Sequence, residues 1–202
     1  MRRKATLLLA LLAVAAGAWR EAAAQERAID MVRLDTQRSS GGFRVRVVWL
    51  LAISGEFGRI DGEVRRDRFR DTLRVDAHID AASLRMSSPR QEALARSSEF
   101  FDVAQYPQID FASDAFARQR LYSGGELPGR LTVRGISQPV RFNLLPADCA
   151  RPARDCPLRV NGAIRRSQFG MDGHRATLAD KVELDFRIYV QDEPANETLA
   201  PG

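Results

Sequence analysis

The chain has 202 residues, of which 45% are hydrophobic, and carries a formal net charge of +5. This length suits one domain with a full hydrophobic core. The basic residues form no concentrated patch of the kind that nucleic-acid recognition needs, so the composition argues against nucleic acid as a partner.

Residues 1–24 have the three parts of a cleaved signal peptide. A charged start at residues 2–4 precedes a mostly apolar run of 15 residues and an Ala-x-Ala cleavage site at residues 22–24. The run is short for a membrane span, and Arg20 and Glu21 interrupt any longer one, which disfavours the alternative of an uncleaved anchor. The remaining chain has 27 basic and 25 acidic residues, a net charge of +2. We expect it to be periplasmic or secreted.

The first part of the mature chain alternates as β-strands do. Residues 33–37 are typical of a first strand that enters a turn. Residues 43–49 place four apolar side chains on one face, namely Phe43, Val45, Val47 and Trp49. Gly55 and Gly58 bracket Phe57, and glycines within a strand pattern indicate a bulge or sharp bend, as closed barrels need at their corners. Residues 60–66 and 73–79 alternate again.

Residues 89–98 predict the one helix, because Pro89 suits a helix start and the Ala-Leu-Ala run that follows favours helix. Further strands are predicted at residues 110–116, 129–133, 140–144, 158–165 and 182–190. A short turn is expected at residues 135–139, and residues 192–202 have the composition of a disordered tail. This pattern predicts an all-β fold, an antiparallel barrel or sandwich, and favours a barrel of about eight strands with one capping helix over residues 25–191.

Few residues have the chemistry of a catalytic or metal site. Cys149 and Cys156 are expected to form a disulfide in an exported chain and to pin a hairpin loop at one barrel end. His78 follows the polar face of a strand and is expected at the surface, while His174 lies in a loop where it could touch a ligand head group. No nucleophile motif, phosphate loop or dinucleotide fingerprint occurs. We therefore expect no catalytic residues, no metal site and no cofactor.

Bulky apolar side chains are the remaining candidates for a site. They are either plain core or the walls of a cavity, because a small barrel is filled by its side chains or holds one small ligand. Phe100 and Phe101 are adjacent and cannot share one face of a regular element. The candidates for ligand contact, together with His174, are Phe43, Val45, Val47, Trp49, Phe57, Leu94, Phe100, Phe101, Phe111, Phe142, Phe169 and Met171.

Three motifs, in order, resemble the YceI-like family of polyisoprenoid-binding proteins. The first is Glu-Phe-Phe-Asp-Val at residues 99–103, followed by Tyr-Pro-x-Ile-x-Phe-x-Ser at residues 106–113. The second is Gly-Arg-Leu-Thr-Val-Arg-Gly at residues 129–135 with Gln-Pro-Val at 138–140. The third is Arg-Ser-Gln-Phe-Gly-Met at residues 166–171. The resemblance covers roughly residues 30–190.

The resemblance implies an exported, lipocalin-like barrel, capped by the helix, that holds an isoprenoid chain without catalysis. Its partner would be a polyisoprenoid or isoprenoid-quinone-like lipid, with transient membrane contact and a homodimer as further expectations. The chain departs from the family in the helix, where Leu94 replaces a usual histidine and Glu92 takes the acidic position. One alternative is a filled barrel that acts in the cell envelope through its surface. Another is a lipid hydrolase or isomerase that uses Glu92 and His174.

Overall fold

The structure, a computed structural model, describes residues 29–47 and 51–192. The predicted signal peptide and nearly all of the predicted tail lie outside these residues, as does Trp49. No helix within the described ranges is long and apolar enough to cross a membrane.

Twelve strands form one sheet in which every ladder between named strands is antiparallel. The sheet order is β1-β4-β5-β7-β9-β10-β11-β12-β2-β3-β6, and β8 pairs with β5. The strands are β1 (Ile29–Arg33), β2 (Ser40–Val47), β3 (Leu51–Phe57), β4 (Ile60–Asp67), β5 (Thr72–Asp80), β6 (Leu84–Met86), β7 (Gln108–Ser113), β8 (Phe116–Ala117), β9 (Gly125–Val133), β10 (Ile136–Leu144), β11 (Leu158–Arg165) and β12 (Leu178–Ile188).

Among the described residues, two α-helices accompany the sheet, α1 (Pro89–Arg96) and the single turn α2 (Arg120–Ser123). Short 3-10 segments occur at Ala81–Ser83 and Arg166–Phe169. The antiparallel fold with a capping helix confirms the sequence-based prediction. The described residues form twelve strands, more than the expected eight or so, and three of the twelve, β1, β6 and β8, have five residues or fewer.

The sheet curls round until segments that follow two strands far apart in its order meet. Leu34, just after β1, forms an isolated bridge with Val190, just after β12. The Asp35 N–H donates to the carbonyl of Tyr189 at 2.8 Å, and the Gln191 N–H donates to that of Arg33 at 2.9 Å. Because β1 and β12 are far apart in the sheet order, these bonds require a barrel-like curl.

Two of the predicted segments are wrong in their local conformation. The strand expected at residues 33–37 ends at Arg33, because the Asp35 carboxylate accepts the backbone N–H groups of Gln37 and Arg38 and so forms a side-chain turn. The turn expected at residues 135–139 is shorter. Arg134 and Gly135, both with positive φ, form a two-residue hairpin, and β10 begins at Ile136.

The predicted disulfide between Cys149 and Cys156 is confirmed. It closes the connection between β10 and β11, and that loop is tied to the rest of the barrel. Ala153 is 4% exposed and its carbonyl accepts the N–H of Val190 at 2.9 Å. Arg38 donates to the carbonyl of Arg154 at 2.9 Å. The disulfide therefore holds the loop where the two chain segments after β1 and β12 meet.

Replacing both cysteines by serine should lower the free energy of unfolding by about 2–3 kcal/mol, because an eight-residue ring restricts the unfolded chain to this extent. Urea denaturation of the double variant and of the oxidised wild type measures the difference. Equal denaturation midpoints would contradict a stabilising role for the disulfide.

Candidate functional site

An apolar chamber of about 120 Å³ lies inside the curled sheet, beneath α1; we call it the outer chamber. Eight strands supply its wall, so the chamber is a product of the whole barrel rather than of one loop. The segments after α1 and β11 complete it. Gln91 and Arg166 are the two polar side chains among its lining residues. Such a wall can exclude water and bind a hydrocarbon group.

The adjacent Phe100 and Phe101 close the chamber from the side of α1, and we call them the plug. The ring of Phe101 packs edge-on against Phe57, with ring centroids 5.4 Å apart, and against Phe43 at 5.7 Å. The ring of Phe100 instead stacks on His174, with centroids 6.0 Å apart. The two rings thus take different directions, as their adjacency requires, although both line the outer chamber.

Helix α1 is anchored to the sheet by its charged residues. Ser88 caps the helix start by accepting the N–H of Gln91. The Glu92 carboxylate accepts the N–H of Met86 at 3.1 Å and pairs with Arg96 at 3.0 Å. Arg96 in turn donates to the carbonyl of Leu84 at 2.6 Å. Glu92 therefore has a structural role in fixing α1 over the outer chamber.

Four interior phenylalanines lie over glycines of neighbouring strands. A β-carbon added to any of these glycines would approach a ring atom within 3.0 Å, closer than real contacts allow. In two of the pairs, Phe43 with Gly55 and Phe186 with Gly41, the residues are direct partners in a ladder. The rings therefore occupy space that a side chain would otherwise fill, and lie along the wall. The four pairs are Phe43–Gly55, Phe111–Gly129, Phe142–Gly162 and Phe186–Gly41.

A second apolar cavity of about 70 Å³, the inner chamber, lies further along the barrel. Phe111 and Phe142 are part of its wall, and their ring centroids are 5.2 Å apart. The two chambers share three lining residues, Ile79, Leu131 and Phe186. These three side chains form a waist between the chambers.

Arg166 is a charged residue that the fold buries beside the outer chamber. It is 4% exposed, and its guanidinium donates to the backbone carbonyls of Ala179, Met171, Gly173 and Leu178. These bonds compensate for the lost hydration. They also tie the 3-10 segment after β11 to residues 171–173 and to the start of β12, beside the outer chamber.

A neighbouring carboxylate belongs to the same network. Asp180 accepts the N–H of Ser167 at 2.9 Å. This backbone hydrogen bond, together with the positive charges of Arg165 and Arg166, holds the pKa of Asp180 below its ordinary value.

Most of the predicted ligand-contact residues line one of the two chambers, and the others lie elsewhere. Seven line the outer chamber, namely Phe43, Val45, Phe57, Leu94, Phe100, Phe101 and Met171, and two line the inner chamber, Phe111 and Phe142. Phe169 is fully buried in the core, and Val47 is half-buried on β2; neither is among the lining residues of these chambers. His174 is exposed beside the plug, at the opening of the outer chamber that we call the mouth. Its Nε2 lies 3.1 Å from the Glu99 carboxylate. Trp49 lies outside the described residues.

Sequence reasoning missed the whole of the wall that β12 contributes. The inward residues of this strand alternate with Lys181, Glu183, Asp185 and Arg187, so the period-two pattern could have identified them. The unpredicted lining residues of β12 are Leu178, Val182, Leu184 and Phe186. Arg166 is different, because no pattern in the sequence distinguishes a buried arginine from an exposed one.

The polar residues of the site have partners that favour structure over catalysis. His174 pairs with Glu99, whereas Glu92 pairs with Arg96, so these two candidates for lipid chemistry have separate partners. His78, expected at the surface, is partly exposed, and its Nδ1 lies 2.7 Å from the Asp110 carboxylate. Within the described part of the chain, no three His, Cys, Asp or Glu side chains are grouped so as to hold a metal ion.

The curled antiparallel sheet and its apolar interior define a binding protein of lipocalin-like architecture. Comparison with known proteins extends this assignment. A family model described as the YceI-like domain matches residues 33–190. Protein YceI of Salmonella arizonae is 29% identical over 169 residues, which cover 81% of this chain and 85% of that protein. The chain belongs to the YceI-like family.

Solved structures share the fold. BcnA of Burkholderia cenocepacia aligns with a TM-score of 0.65 and 21% identity, covering 79% of this chain and 99% of that one. A polyisoprenoid-binding domain from Saccharophagus degradans, implicated in plant cell wall breakdown, aligns with a TM-score of 0.60 and 12% identity, covering 82% and 99%. At these identities the likeness establishes the architecture.

The Phe43–Gly55 pair provides a direct test of why the interior is open. In Gly55→Ala the new β-carbon would lie 2.6 Å from Cε1 of Phe43 and 2.9 Å from Cδ1 of Leu84. We expect the Phe43 ring to be displaced into the outer chamber and the free energy of unfolding to fall by about 1–3 kcal/mol. Chemical denaturation and a crystal structure of the variant measure both effects.

Gly42→Ala is the matched control on the adjacent strand. A β-carbon at Gly42 meets only backbone oxygens at 3.7 and 3.8 Å, which is ordinary contact. Its stability should stay within about 0.5 kcal/mol of the wild type or rise slightly, because alanine reduces the freedom of the unfolded chain. If Gly55→Ala behaved like this control, the ring would not depend on the glycine.

Proposed function

We propose that the protein is an exported carrier or store that holds the tail of a polyisoprenoid or isoprenoid-quinone-like lipid inside its barrel. The observation that carries the proposal is the outer chamber, an interior space with an almost wholly apolar wall beneath a helix and two phenylalanines. Each CH₂ group moved from water into such a space gains about 0.8 kcal/mol, so even a short tail would be retained.

Export to the periplasm or beyond is supported by the sequence pattern of residues 1–24 and by the disulfide. The lipid class is supported by family membership and by the name of the Saccharophagus degradans domain, which is described as polyisoprenoid-binding. We propose no catalytic step, since Glu92 and His174 are engaged in separate contacts at α1 and at the mouth.

Transient membrane contact fits the energetics of loading. A free isoprenoid in a membrane has already left water, so its transfer to the barrel is close to balance and depends on packing. Three large apolar side chains are exposed towards the outer-chamber end of the barrel: Leu51 at 73%, Leu94 at 39% and Ile136 at 39%. Side chains of this kind can rest in the apolar part of a bilayer surface while the mouth exchanges lipid.

A second candidate is a module of the cell envelope that acts through its surface. It is favoured by a large polar groove of about 1110 Å³ on the outer side of β3, β2, β12 and β11. Both charge signs line it, among them Arg44, Glu56, Glu183 and Arg187. Such a surface is suited to a polar partner and would not need an open interior.

Two substitutions at the plug and helix distinguish these functions. Leu94→Arg and Phe101→Arg each place a charge against the apolar chamber, which should weaken retention of a prenol by at least about tenfold. Calorimetric titration with farnesol measures the affinity, and far-UV circular dichroism checks that the barrel remains folded.

The control is Phe69→Arg, which introduces the same charge at a residue that is 79% exposed in the turn after β4. It should bind farnesol as the wild type does. If both chamber variants kept wild-type affinity, the assignment of the pocket would be wrong, and the surface module would become the better account.

A further inference from the structure

The waist lies between the outer and inner chambers and is formed by side chains from separate strands. Ile79 belongs to β5 and Leu131 to β9, whereas Phe186 belongs to β12, on another part of the barrel wall. All three line both chambers. Side chains from separate strands that line both cavities lie at the level where the two cavities adjoin, so they bound the passage from one cavity to the other.

The chambers follow one another along the barrel axis. On β12 the outer chamber is lined by Leu178, Val182 and Leu184, and the inner chamber by Ile188, with Phe186 between them in both. On β9 the inner chamber uses Leu127 and the outer chamber Val133, and Leu131 is again common to both. The plug lies at the outer chamber. A tail that enters there meets the waist before it can reach the inner chamber.

Phe186 is the member of the waist best placed to move. Ile79 and Leu131 are 4% and 3% exposed, within the core. Phe186 is only half-buried, and its ring lies over Gly41, with the ring of Phe142 at 5.9 Å. A rotation of this ring would therefore change the width of the waist without moving a strand.

The chamber volumes make the waist relevant to ligand length. An apolar cavity of about 150 Å³ accommodates benzene, a six-carbon body. By that scale the outer chamber, at about 120 Å³, has room for about one five-carbon isoprene unit, and the inner chamber, at about 70 Å³, for less. A longer tail needs both chambers and the space between them.

We propose that the waist formed by Ile79, Leu131 and Phe186 sets the preferred length of the bound isoprenoid tail. The proposal rests on the proposed lipid-binding function and adds its selectivity. A tail that ends in the outer chamber binds to the barrel as it is folded. Each further unit must displace the Phe186 ring before it gains contact with the inner chamber.

The test is titration of delipidated protein with a series of prenols that share the hydroxyl head group and differ by one isoprene unit. For the wild type, affinity should stop rising once the tail fills the outer chamber. In Phe186→Ala the chambers join, so affinity for the longer prenols should rise about tenfold relative to the wild type, since two newly buried CH₂ groups suffice for that change.

Phe69→Ala is the control, because Phe69 is 79% exposed in the turn after β4 and lines neither chamber. It removes the same ring and should keep the wild-type dependence on tail length. Should Phe186→Ala fail to fold, Phe186→Leu replaces the ring by a smaller side chain. It should raise the affinity for the longer prenols in the same way, to a lesser degree.

The outcomes separate this inference from the function on which it rests. If the wild type binds prenols but its length profile matches that of Phe186→Ala, the waist has no role in selectivity and the inference is overturned. The same holds if Phe69→Ala shifts the profile as Phe186→Ala does. If the wild type binds no prenol of any length, the proposed lipid-binding function itself fails.

Discussion

The interior of this barrel stays open because four phenylalanine rings lie over glycines. In each pair the ring occupies the position that a β-carbon would need, with contacts that would be shorter than 3.0 Å. Along the chambers, a ring held against the wall keeps apolar contact with its neighbours and leaves the lumen free, whereas the Phe186 ring, which also lies over a glycine, narrows the lumen at the waist. A barrel of this size would otherwise be filled by its own side chains. Chamber, waist and plug all depend on this arrangement.

Together with Phe57 and Phe101, these rings form two aromatic clusters that line the interior. Phe43, Phe57 and Phe101 pack together at the outer chamber, and Phe111, Phe142 and Phe186 continue along the inner one. Because Phe101 belongs to the plug, the first cluster couples closure of the mouth to the barrel wall. Helix α1 is held against the same wall by the contacts that run from Glu92 through Arg96 to the carbonyl of Leu84.

Arg166 is buried although its guanidinium is charged. A guanidinium placed next to an apolar chamber loses its hydration, and the protein compensates with four backbone carbonyls rather than a carboxylate partner. The result is a connection between the 3-10 segment after β11, residues 171–173 and the start of β12, beside the outer chamber.

Much of this architecture could be predicted from local pattern. Alternation identified the strands and the inward face of β2, and the adjacency of Phe100 and Phe101 predicted that they take different directions. The end of the first strand at Arg33 could not be predicted from alternation, because the Asp35 carboxylate accepts backbone N–H groups and so competes with the strand. The Phe–Gly pairs depend on the register between strands, and the waist residues come from strands distant in sequence, so no local pattern contains either feature. Gly55 suggested a bend, whereas the structure shows that it makes room for the Phe43 ring.

The most direct test of the central claim is native mass spectrometry of the protein exported in its own compartment, followed by organic extraction. The account predicts a stoichiometric adduct whose extracted lipid gives masses that step by isoprene units. A bare protein mass, with no change in melting temperature on addition of a polyisoprenoid, would contradict it and would leave the barrel as a scaffold for its polar surface.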